Sequence, residues 1–231
     1  NLKKHFNSER GYFRQLWETT KKSGKHNSFK DFDDFLKTFN ARKRKAVKKE
    51  RAKISQQNIT IEWLQGEQIT TTVMQLFCEF YQRTYLKRSG HLGYLNSDFF
   101  SLLHALMAEK LLIMLAKKDH KVIAATLSLI GDNTLYGRYW GASEEIDSLH
   151  FELCYYQGIE YAIKHNIHCF NAGAQGEHKI ARGFQPITTY SAHHIIHPDF
   201  NHAIADYLKR ERQHIDIYKQ QCSTLLPFKN E

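Results

Sequence analysis

The chain has 231 residues, of which 42% are hydrophobic and 25% are charged. It has no uninterrupted apolar run of about 18 residues and begins with a polar segment, so the sequence predicts neither a transmembrane helix nor a signal peptide. Its four cysteines form no C-x-x-C pair and are too few for a disulfide scaffold, which favours a reducing, cytoplasmic setting. The net charge of +9 favours a negatively charged partner, such as nucleic acid, an anionic membrane surface or a phosphorylated small molecule.

The first quarter of the chain contains a polar segment and then a strongly basic helix. Residues 1–30 are weakly patterned, and we expect them to be a linker or the remnant of a preceding region. Residues 31–56 have the apolar spacing of one long helix, with Asp31 as its N-cap. Positive side chains are so numerous in residues 42–53 that they cannot all lie on one buried face of the helix, and most must be solvated. Two interpretations stay open for this basic helix: it binds RNA or another anionic ligand, or it is a solvated surface.

The rest of the chain alternates between strand and helix patterns. In chain order they predict a strand at 59–63, helices at 71–87 and 98–108, strands at 111–116, 122–130 and 134–140, a helix at 149–165, strands at 169–171 and 187–196, and a closing helix at 200–222. Short polar turns join the three central strands, which indicates an antiparallel meander. Only one helix connects neighbouring strands. The sequence therefore predicts an α/β fold of the α+β type, with a mixed sheet and flanking helices.

The first candidate for a binding site lies where the strand at 134–140 meets the next helix. We expect Gly141 to form the turn, and backbone N–H groups at the start of a helix attract anions. Arg138 adds a positive charge, and Tyr136 and Trp140 lie in the same strand as further candidate contacts of a bound group. The alternative is a plain strand-to-helix turn that needs glycine for its backbone geometry.

A second candidate follows the short strand at 169–171. Residues 173–184 combine three glycines with several donors, acceptors and acid–base groups. The polar group consists of Gln175, Gly176, Glu177, His178, Lys179 and Arg182. Loops that leave the carboxyl end of a sheet strand often bind ligands, so we predict a functional loop here. An ordinary polar surface loop is the alternative.

Two smaller features were weighed for acid–base and metal chemistry. Glu152 lies in the first turn of the helix at 149–165, where it could deprotonate an amine or simply interact with the helix dipole. His193 and His197 would share one face of the last strand, whereas His194 would point to the other face. No zinc-binding spacing of His and Cys is present, so the sequence predicts no metal site.

Four stretches resemble the FemAB-like predicted N-acyltransferases, which are related to the peptidoglycan Fem transferases and, by fold, to GNAT acetyltransferases. They are residues 32–54, 135–142, 149–163 and 173–193, and the resemblance extends from residue 31 to about residue 212. It implies a GNAT-like acyltransferase fold for residues 31–231. It also implies that this region is the second of two tandem Fem-type domains, with most of the first absent.

The resemblance implies transfer of an acyl group from an activated donor to an amine, in peptidoglycan biosynthesis. The donor would be acyl-CoA or aminoacyl-tRNA. We expect Glu152, Glu177 or His178 to act as the catalytic base, and backbone groups near Gly141 and Gly176 to bind phosphates or the oxyanion. The cations expected to hold anionic groups are Arg138, Lys179 and Arg182. The alternative function is a non-catalytic module that binds nucleic acid, a cell-wall precursor or another anionic ligand.

Overall fold

The computed structural model describes residues 29–173, 176–191 and 194–229, with the backbone alone at 8–13, 15–16 and 188–191. The strands are β1 (Ser8–Phe13), β2 (Gln15–Leu16), β3 (Ile59–Gln65), β4 (Leu111–Lys118), β5 (Lys121–Ile130), β6 (Thr134–Ala142), β7 (Cys169–Asn171) and β8 (Pro186–Ser191). The helices are α1 (Phe32–Lys37), α2 (Ala41–Ser55), α3 (Thr71–Ser89), α4 (Ser97–Met107), α5 (Leu149–Phe151), α6 (Gln157–Lys164) and α7 (Pro198–Thr224). Among the helices of the described residues, none combines the length and apolar character needed to span a bilayer.

The chain forms two compact units. The larger unit is Trp17–Ala172, and the smaller unit combines Asn1–Leu16 with Gly173–Glu231. In the larger unit a π-helical segment, Glu152–Tyr156, joins α5 to α6. The three pieces form one continuous helix, residues 149–164, which we call the crossover helix because it connects two parallel strands.

A mixed sheet of five strands organises the larger unit, in the order β7-β6-β5-β4-β3. Strands β3, β4, β5 and β6 pair antiparallel with one another in that order, and β7 pairs in parallel with β6. The predicted meander and its single crossover are therefore confirmed. The predicted α/β fold of the α+β type, with a mixed sheet and flanking helices, is confirmed as well.

Both faces of the central strands are buried, which explains their continuous apolar pattern. On β4, Leu111, Ile113 and Leu115 join one core with side chains of α3 and α4. The alternate residues Leu112 and Met114 are equally buried but point to the opposite face, because side chains alternate along a strand. That second face is covered by the crossover helix, whose π-helical segment contacts β4 and β5. The sheet thus lies between two helical layers.

The predicted single helix at 31–56 is wrong, because the structure has two helices there. Asp31 is the N-cap of α1, as predicted, and its carboxylate accepts the Asp34 N–H at 2.7 Å. A second N-cap follows at Asn40, whose side-chain oxygen accepts the Lys43 N–H at 3.0 Å and begins α2. Asparagine favours this position because its short side chain satisfies an N–H group that the helix leaves unpaired.

The smaller unit contains a strand pair, a short 3₁₀ segment and one long helix. β1 pairs antiparallel with β8 from Ser8↔Ser191 to Phe13↔Pro186, and no strand was predicted at β1. The 3₁₀ segment Glu177–Arg182 packs Ile180 on Cys222 of α7. Whether residues 1–30 are the remnant of a preceding region stays a prediction.

The predicted last strand at 187–196 is too long, since β8 ends at Ser191. His194 and His197 therefore lie beyond the strand, and His193 lies outside the described residues. Where the structure describes the chain, no group of three or more His, Cys, Asp or Glu side chains is arranged to hold a metal ion.

Candidate functional site

Gly141 lies inside strand β6, so the predicted glycine turn at this residue is wrong. It pairs with Ala125 of β5, and β6 continues to Ala142. A Cβ atom at Gly141 would lie only 2.3 Å from the carbonyl carbon and oxygen of Phe80 in α3. Glycine is required here because the α3 backbone passes directly over the strand. Residue 141 therefore sets how closely α3 approaches the end of the sheet.

A β-bulge places Arg138 on the surface of β6. Tyr139 lies opposite Leu127 and Gly137 lies opposite Ser128, which leaves Arg138 without a partner position on β5. The exposed guanidinium of Arg138 lies over the ring of Tyr136, 5.3 Å from its centroid. Bulges commonly redirect one side chain of a strand near functional sites. Two of the predicted site residues, Arg138 and Tyr136, are therefore in direct contact.

Strands β6 and β7 separate shortly after they begin to pair. Their parallel register covers three pairs and ends at Tyr136↔Asn171, where β7 also ends. Strand β6 continues for six more residues to Ala142. Within the described part of the larger unit, no strand pairs with residues 137–142 on the side that faces β7. Ligands of open α/β sheets commonly bind beyond such carboxyl ends.

A pocket of about 530 Å³ lies at this end of β6, and we call it the β6-end pocket. Its lining residues come from α3, β6, the following loop and the crossover helix. They are Arg83, Thr84, Lys87, Arg88, Trp140, Ala142, Ser143, Glu144, Glu145, Ile146, Asp147 and His150. The rings of Trp140 and His150 meet edge to face, with centroids 5.2 Å apart. Trp140 is thus the predicted site residue that lines this pocket.

The pocket is lined by three cations and three carboxylates, but two of the three cations stay outside the ion pairs of the described residues. Lys87 forms an ion pair with Glu145 and thereby lowers the pKa of that carboxyl group. Asp147 is held by Lys53 of α2, and the hydrogen bond from Lys53 lowers its pKa. Neither Arg83 nor Arg88 forms an ion pair with another described residue, and both are exposed. These two guanidinium groups are available to an anionic ligand.

The three α3 cations were missed by the sequence reasoning. The helix at 71–87 was predicted from its apolar spacing, and its basic end was not connected with the glycine at 141. A signal was present, because Arg83 and Lys87 have the i, i+4 spacing of one helix face, and Arg88 follows directly. The close approach of α3 to β6 at Gly141 brings that face to the end of the sheet.

Glu152 lies in the π-helical segment of the crossover helix, and its carboxylate is hydrogen-bonded to other side chains. It is 3% exposed, and its two oxygens accept hydrogen bonds from Arg51 at 3.0 to 3.2 Å. Gln157 donates a further hydrogen bond at 2.7 Å. Arg51 also binds Glu160 at 2.8 Å. Burial acts to lower the pKa of Arg51, but the two carboxylates outweigh it and raise that pKa above its usual value.

These contacts extend into a larger polar network, which we call the Arg51–Glu152 cluster. Trp63 donates its indole N–H to Gln157 at 2.7 Å, and Tyr156 donates its hydroxyl to Glu50. A second pocket of about 530 Å³ borders the cluster. Its lining residues are Arg51, Ile54, Ser55, Ile59, Ile61, Trp63, Glu152, Gln157 and Lys164. The predicted base Glu152 therefore belongs to a closed set of ion pairs and hydrogen bonds.

The predicted loop at 173–184 forms the 3₁₀ segment of the smaller unit, with its charged side chains divided between inside and outside. Lys179 and Arg182 are buried, and each binds a nearby backbone carbonyl. The Lys179 ammonium donates to the oxygen of Gly173 at 3.0 Å, and Arg182 donates to the oxygen of His178 at 2.7 Å. Both predicted cations therefore help to hold the segment in shape. Gln175 lies outside the described residues.

Glu177 and His178 are the exposed residues of this segment. Glu177 accepts a hydrogen bond from the hydroxyl of Tyr218 at 3.1 Å. Desolvation lowers the pKa of His178, and the charges of Arg182 and Lys179 lower it further. Its imidazole is therefore largely neutral at pH 7 and able to accept a proton. Gly176 precedes it with φ +103°, and a Cβ atom there would lie 2.5 Å from Cε1 of His178.

The family to which the chain belongs follows from a match over nearly its whole length. The FemAB-like family, described as peptidoglycan biosynthesis and recognition, matches residues 6–230. The chain is a member of the FemAB-like family. The resemblance inferred from the sequence is thereby confirmed. No curated protein sequence matches this FemAB-like chain.

Solved structures agree on the fold of this FemAB-like protein. The C-terminal DUF2156 domain of an Agrobacterium fabrum protein has a TM-score of 0.56 and 10% identity, covering 87% of this chain and 66% of that one. The structure of FemX has a TM-score of 0.54 and 14% identity, and the match covers 74% of this chain and 55% of FemX. The structure of L-PGS from Bacillus licheniformis has a TM-score of 0.53 and 11% identity, and the match covers 81% of this chain and 60% of that one. The chain thus spans 55 to 66% of the length of these structures, and the likeness shows their fold.

Proposed function

We propose that this FemAB-like protein is an N-acyltransferase that uses a phosphate-bearing acyl donor and an amine acceptor. One observation carries the proposal: the β6-end pocket places Arg83 and Arg88, which form no ion pair with another described residue, beside the last residues of β6, beyond the point where β6 stops pairing with β7. An open strand edge next to positive charge suits a donor with an anionic carrier and a reactive acyl end. Membership of the FemAB-like family supports the same class of reaction.

The donor is held by its phosphates in this proposal. Arg83, Lys87 and Arg88 form the positive wall of the pocket, and Trp140 gives it one aromatic surface. Guanidinium groups bind phosphate through paired N–H donors, which a single ammonium cannot do. Acyl-CoA and aminoacyl-tRNA both carry phosphates on the group that bears the acyl chain, so both remain candidate donors. Arg138, at the bulge of β6, is a further cation for the donor or the acceptor.

The chemistry requires one proton acceptor and one oxyanion site. The acceptor amine loses a proton, its nitrogen bonds to the acyl carbon, and the carbonyl oxygen becomes an oxyanion. When the carbonyl re-forms, the bond to the donor's sulfur or ribose oxygen breaks, and that group takes up a proton. We assign the base to His150, which lines the pocket, because Glu152 is occupied by Arg51. Glu177 and His178 remain the candidate bases of the smaller unit.

The acceptor in this proposal is an amine of a cell-wall precursor. The family description, peptidoglycan biosynthesis and recognition, supports such an amine as the first acceptor to assay. The same description includes recognition, and α2 exposes several cations, which favours a second candidate: a binding module without catalysis. Binding and turnover therefore need separate measurements.

Donor binding is tested by calorimetry with acetyl-CoA and, separately, with aminoacyl-tRNA. We expect the double variant Arg83→Glu and Arg88→Glu to bind the donor at least about tenfold more weakly, because two attractive contacts become repulsive. The matched control carries Lys45→Glu and Lys49→Glu, which make the same charge change on the exposed face of α2. Equal losses in both variants would contradict a donor site at the end of β6. Steeply salt-dependent tRNA binding that is lost only in the α2 variant would favour the binding module.

Catalysis is tested by single-turnover acyl transfer at saturating donor. We expect His150→Gln to slow the chemical step by about 10²- to 10⁴-fold while donor binding is retained. The variants Glu177→Gln and His178→Gln test the bases predicted from the sequence. If His178 is the base, activity declines only as the pH falls below the usual histidine range, because its pKa is lowered, and His178→Gln abolishes that decline. Donor binding without transfer to any amine would favour recognition over catalysis.

A further inference from the structure

The larger unit exposes a group of large apolar side chains on and beside α4. Seven of them are between 38% and 85% exposed on α4, on the connection before it and on the last turns of α3. They are Leu86, Leu92, Tyr94, Phe99, Leu102, Leu106 and Met107. We call them the α4 apolar surface. Scattered exposed apolar residues are common, but seven within 22 residues of chain usually mark an interaction site.

Helix α4 is apolar on its outer face as well as on its inner face. Phe100 points inward, where its ring meets those of Phe77 and Tyr81 at 5.4 and 5.3 Å. Phe99, Leu102 and Leu106 have the i, i+3, i+7 spacing of a second face, which is exposed. A helix covered on one side alone would carry polar residues here. The outer face is therefore built to contact something apolar.

The connection before α4 presents Tyr94 in a fixed position. The Tyr94 N–H donates to the hydroxyl of Tyr81 at 3.2 Å, and its ring contacts Tyr85 and His91. Gly93, with φ +91°, leaves no room for a side chain beside Tyr81. Tyr94 is nevertheless 85% exposed. An aromatic ring that is held by its backbone and turned outward is typical of residues at a membrane–water interface.

Basic side chains lie within and beside the α4 apolar surface. Arg88 lies in the last turn of α3, between Leu86 and Leu92, and Lys110 follows α4; both are exposed. Arg83 and Lys87 are further cations of the last turns of α3, and Lys87 forms an ion pair with Glu145. The acidic residues of this region are Asp98, in the first turn of α4, and Glu109, whose carboxylate lies against Gly66. Cations outnumber carboxylates, and the whole chain carries a net charge of +9.

We infer that the α4 apolar surface docks on an anionic phospholipid bilayer. Apolar side chains on a short helix with flanking cations match the pattern of a helix that lies in the plane of the interface. Eleven residues extend only about 16 Å, too short to cross a hydrocarbon core of about 30 Å. The flanking arginine and lysine side chains are attracted to anionic headgroups, and a neutral protein partner would not require them. The inference does not rest on the proposed acyl transfer.

The test is co-sedimentation of the chain with vesicles of equal parts phosphatidylglycerol and phosphatidylcholine, and with vesicles of phosphatidylcholine alone. We expect binding to the anionic vesicles that weakens with added salt. The double variant Leu102→Glu and Leu106→Glu should reduce this binding by about tenfold or more, since it removes two apolar contacts and adds two negative charges. The matched control is Ile217→Glu with Leu225→Glu, at comparably exposed positions on α7 and just after it. It should retain binding.

Three results would overturn the inference. The first is the absence of binding to anionic vesicles, and the second is equal binding by the α4 double variant. The third is a dimer, seen by light scattering, that dissociates in the α4 double variant while the unmodified chain does not bind vesicles. Circular dichroism of each variant separates a folding defect from a binding defect. Donor binding by the α4 variant, measured in the same preparation, distinguishes a failed membrane surface from a failed acyltransferase proposal.

Discussion

Two regions of the larger unit combine arginine with carboxylates, and they do so in opposite ways. In the Arg51–Glu152 cluster the charges are largely buried and face one another. In the β6-end pocket the cations of α3 are exposed, and Arg83 and Arg88 have no ion pair with another described residue. Each region borders a pocket of about 530 Å³, so size does not distinguish them. The second region therefore has two arginines that a ligand can bind, whereas Arg51 of the first region is engaged by two carboxylates.

The difference separates two residues that are neighbours on the crossover helix. His150 lines the β6-end pocket, whereas Glu152, two residues later, belongs to the buried cluster. Two residues turn a helix by about 200°, so the two side chains leave opposite sides of the same helix. An acidic residue at a helix start is thus a poor guide to a catalytic base. What decides is whether its hydrogen-bonding capacity is already used.

The largest expected effect tests whether the cluster is structural. Replacing Arg51 by Met leaves Glu152 buried without its main cationic partner, and such losses lower the free energy of unfolding by about 3–5 kcal/mol. Urea denaturation measures this change. The matched variant Arg83→Met removes an exposed arginine of the β6-end pocket, and its effect on stability should stay within about 0.5 kcal/mol. Donor binding should show the reverse order. Equal destabilisation by the two variants would contradict the comparison.

The sheet was accessible from the sequence because its signals are local. The apolar runs of β4 and β5, the polar turn between them, and the short run Cys169–Asn171 at β7 each predict their own element. Asp31 correctly predicted the start of α1 in the same way, since an N-cap residue bonds to the backbone of the first helical turn. Tyr136 and Arg138, which lie in contact, were named together because they share one strand.

The rest of the candidate site depends on contacts between distant residues. Arg51 and Glu152 are 101 positions apart, and only the folded sheet brings them together. Gly141 looked like a turn residue because a glycine before a helix usually is one. Glycine is required at residue 141 because the Phe80 backbone lies against it, and this contact can be recognised only when the position of α3 is known. Lys179 and Arg182 looked like ligand-binding cations, and the structure uses them on carbonyls of their own segment.

The next effect separates the wall of the β6-end pocket from the cluster. Gly141→Ala forces a Cβ atom to within 2.3 Å of the Phe80 backbone, so α3 must move away from β6. We expect a loss of about 1–3 kcal/mol in the free energy of unfolding, measured by urea denaturation, and weaker donor binding. Gly137→Ala is the control on the same strand, because its nearest contact would be an ordinary 3.4 Å to Phe170. A Gly141→Ala variant as stable as the control would show that α3 is not fixed at this point.

A smaller effect concerns the helix that supplies Arg51. Asn40→Ala removes the N-cap hydrogen bond to Lys43, and cap losses of this kind lower stability by about 1 kcal/mol. Thermal unfolding should show a correspondingly lower midpoint. Asn40→Asp retains a side-chain acceptor and should behave like the unmodified chain to within a few tenths of a kcal/mol. If both variants lose the same stability, the start of α2 is held by its packing and not by the cap.

The smallest expected effect sharpens the claim that charges in the β6-end pocket are available to a ligand. Glu145 binds Lys87, and this contact lowers the pKa of the Glu145 carboxyl group, so the carboxylate stays ionised and competes with donor phosphate near neutral pH. Glu145→Gln should therefore tighten donor binding by about threefold in calorimetry, as a repulsive charge disappears and Lys87 is released. Folding should be unaffected, because both side chains are exposed.

Glu144→Gln is the control that isolates the contribution of Lys87. It removes the same negative charge from the lining of the same pocket, and Glu144 forms no ion pair with another described residue. Both substitutions weaken the general repulsion of a phosphate, but only Glu145→Gln also frees an ammonium group. The excess of the Glu145 effect over the Glu144 effect therefore measures how strongly Lys87 contacts the donor. If the two variants bind equally, Lys87 belongs to the rim of the pocket, and Arg83 and Arg88 alone hold the phosphates.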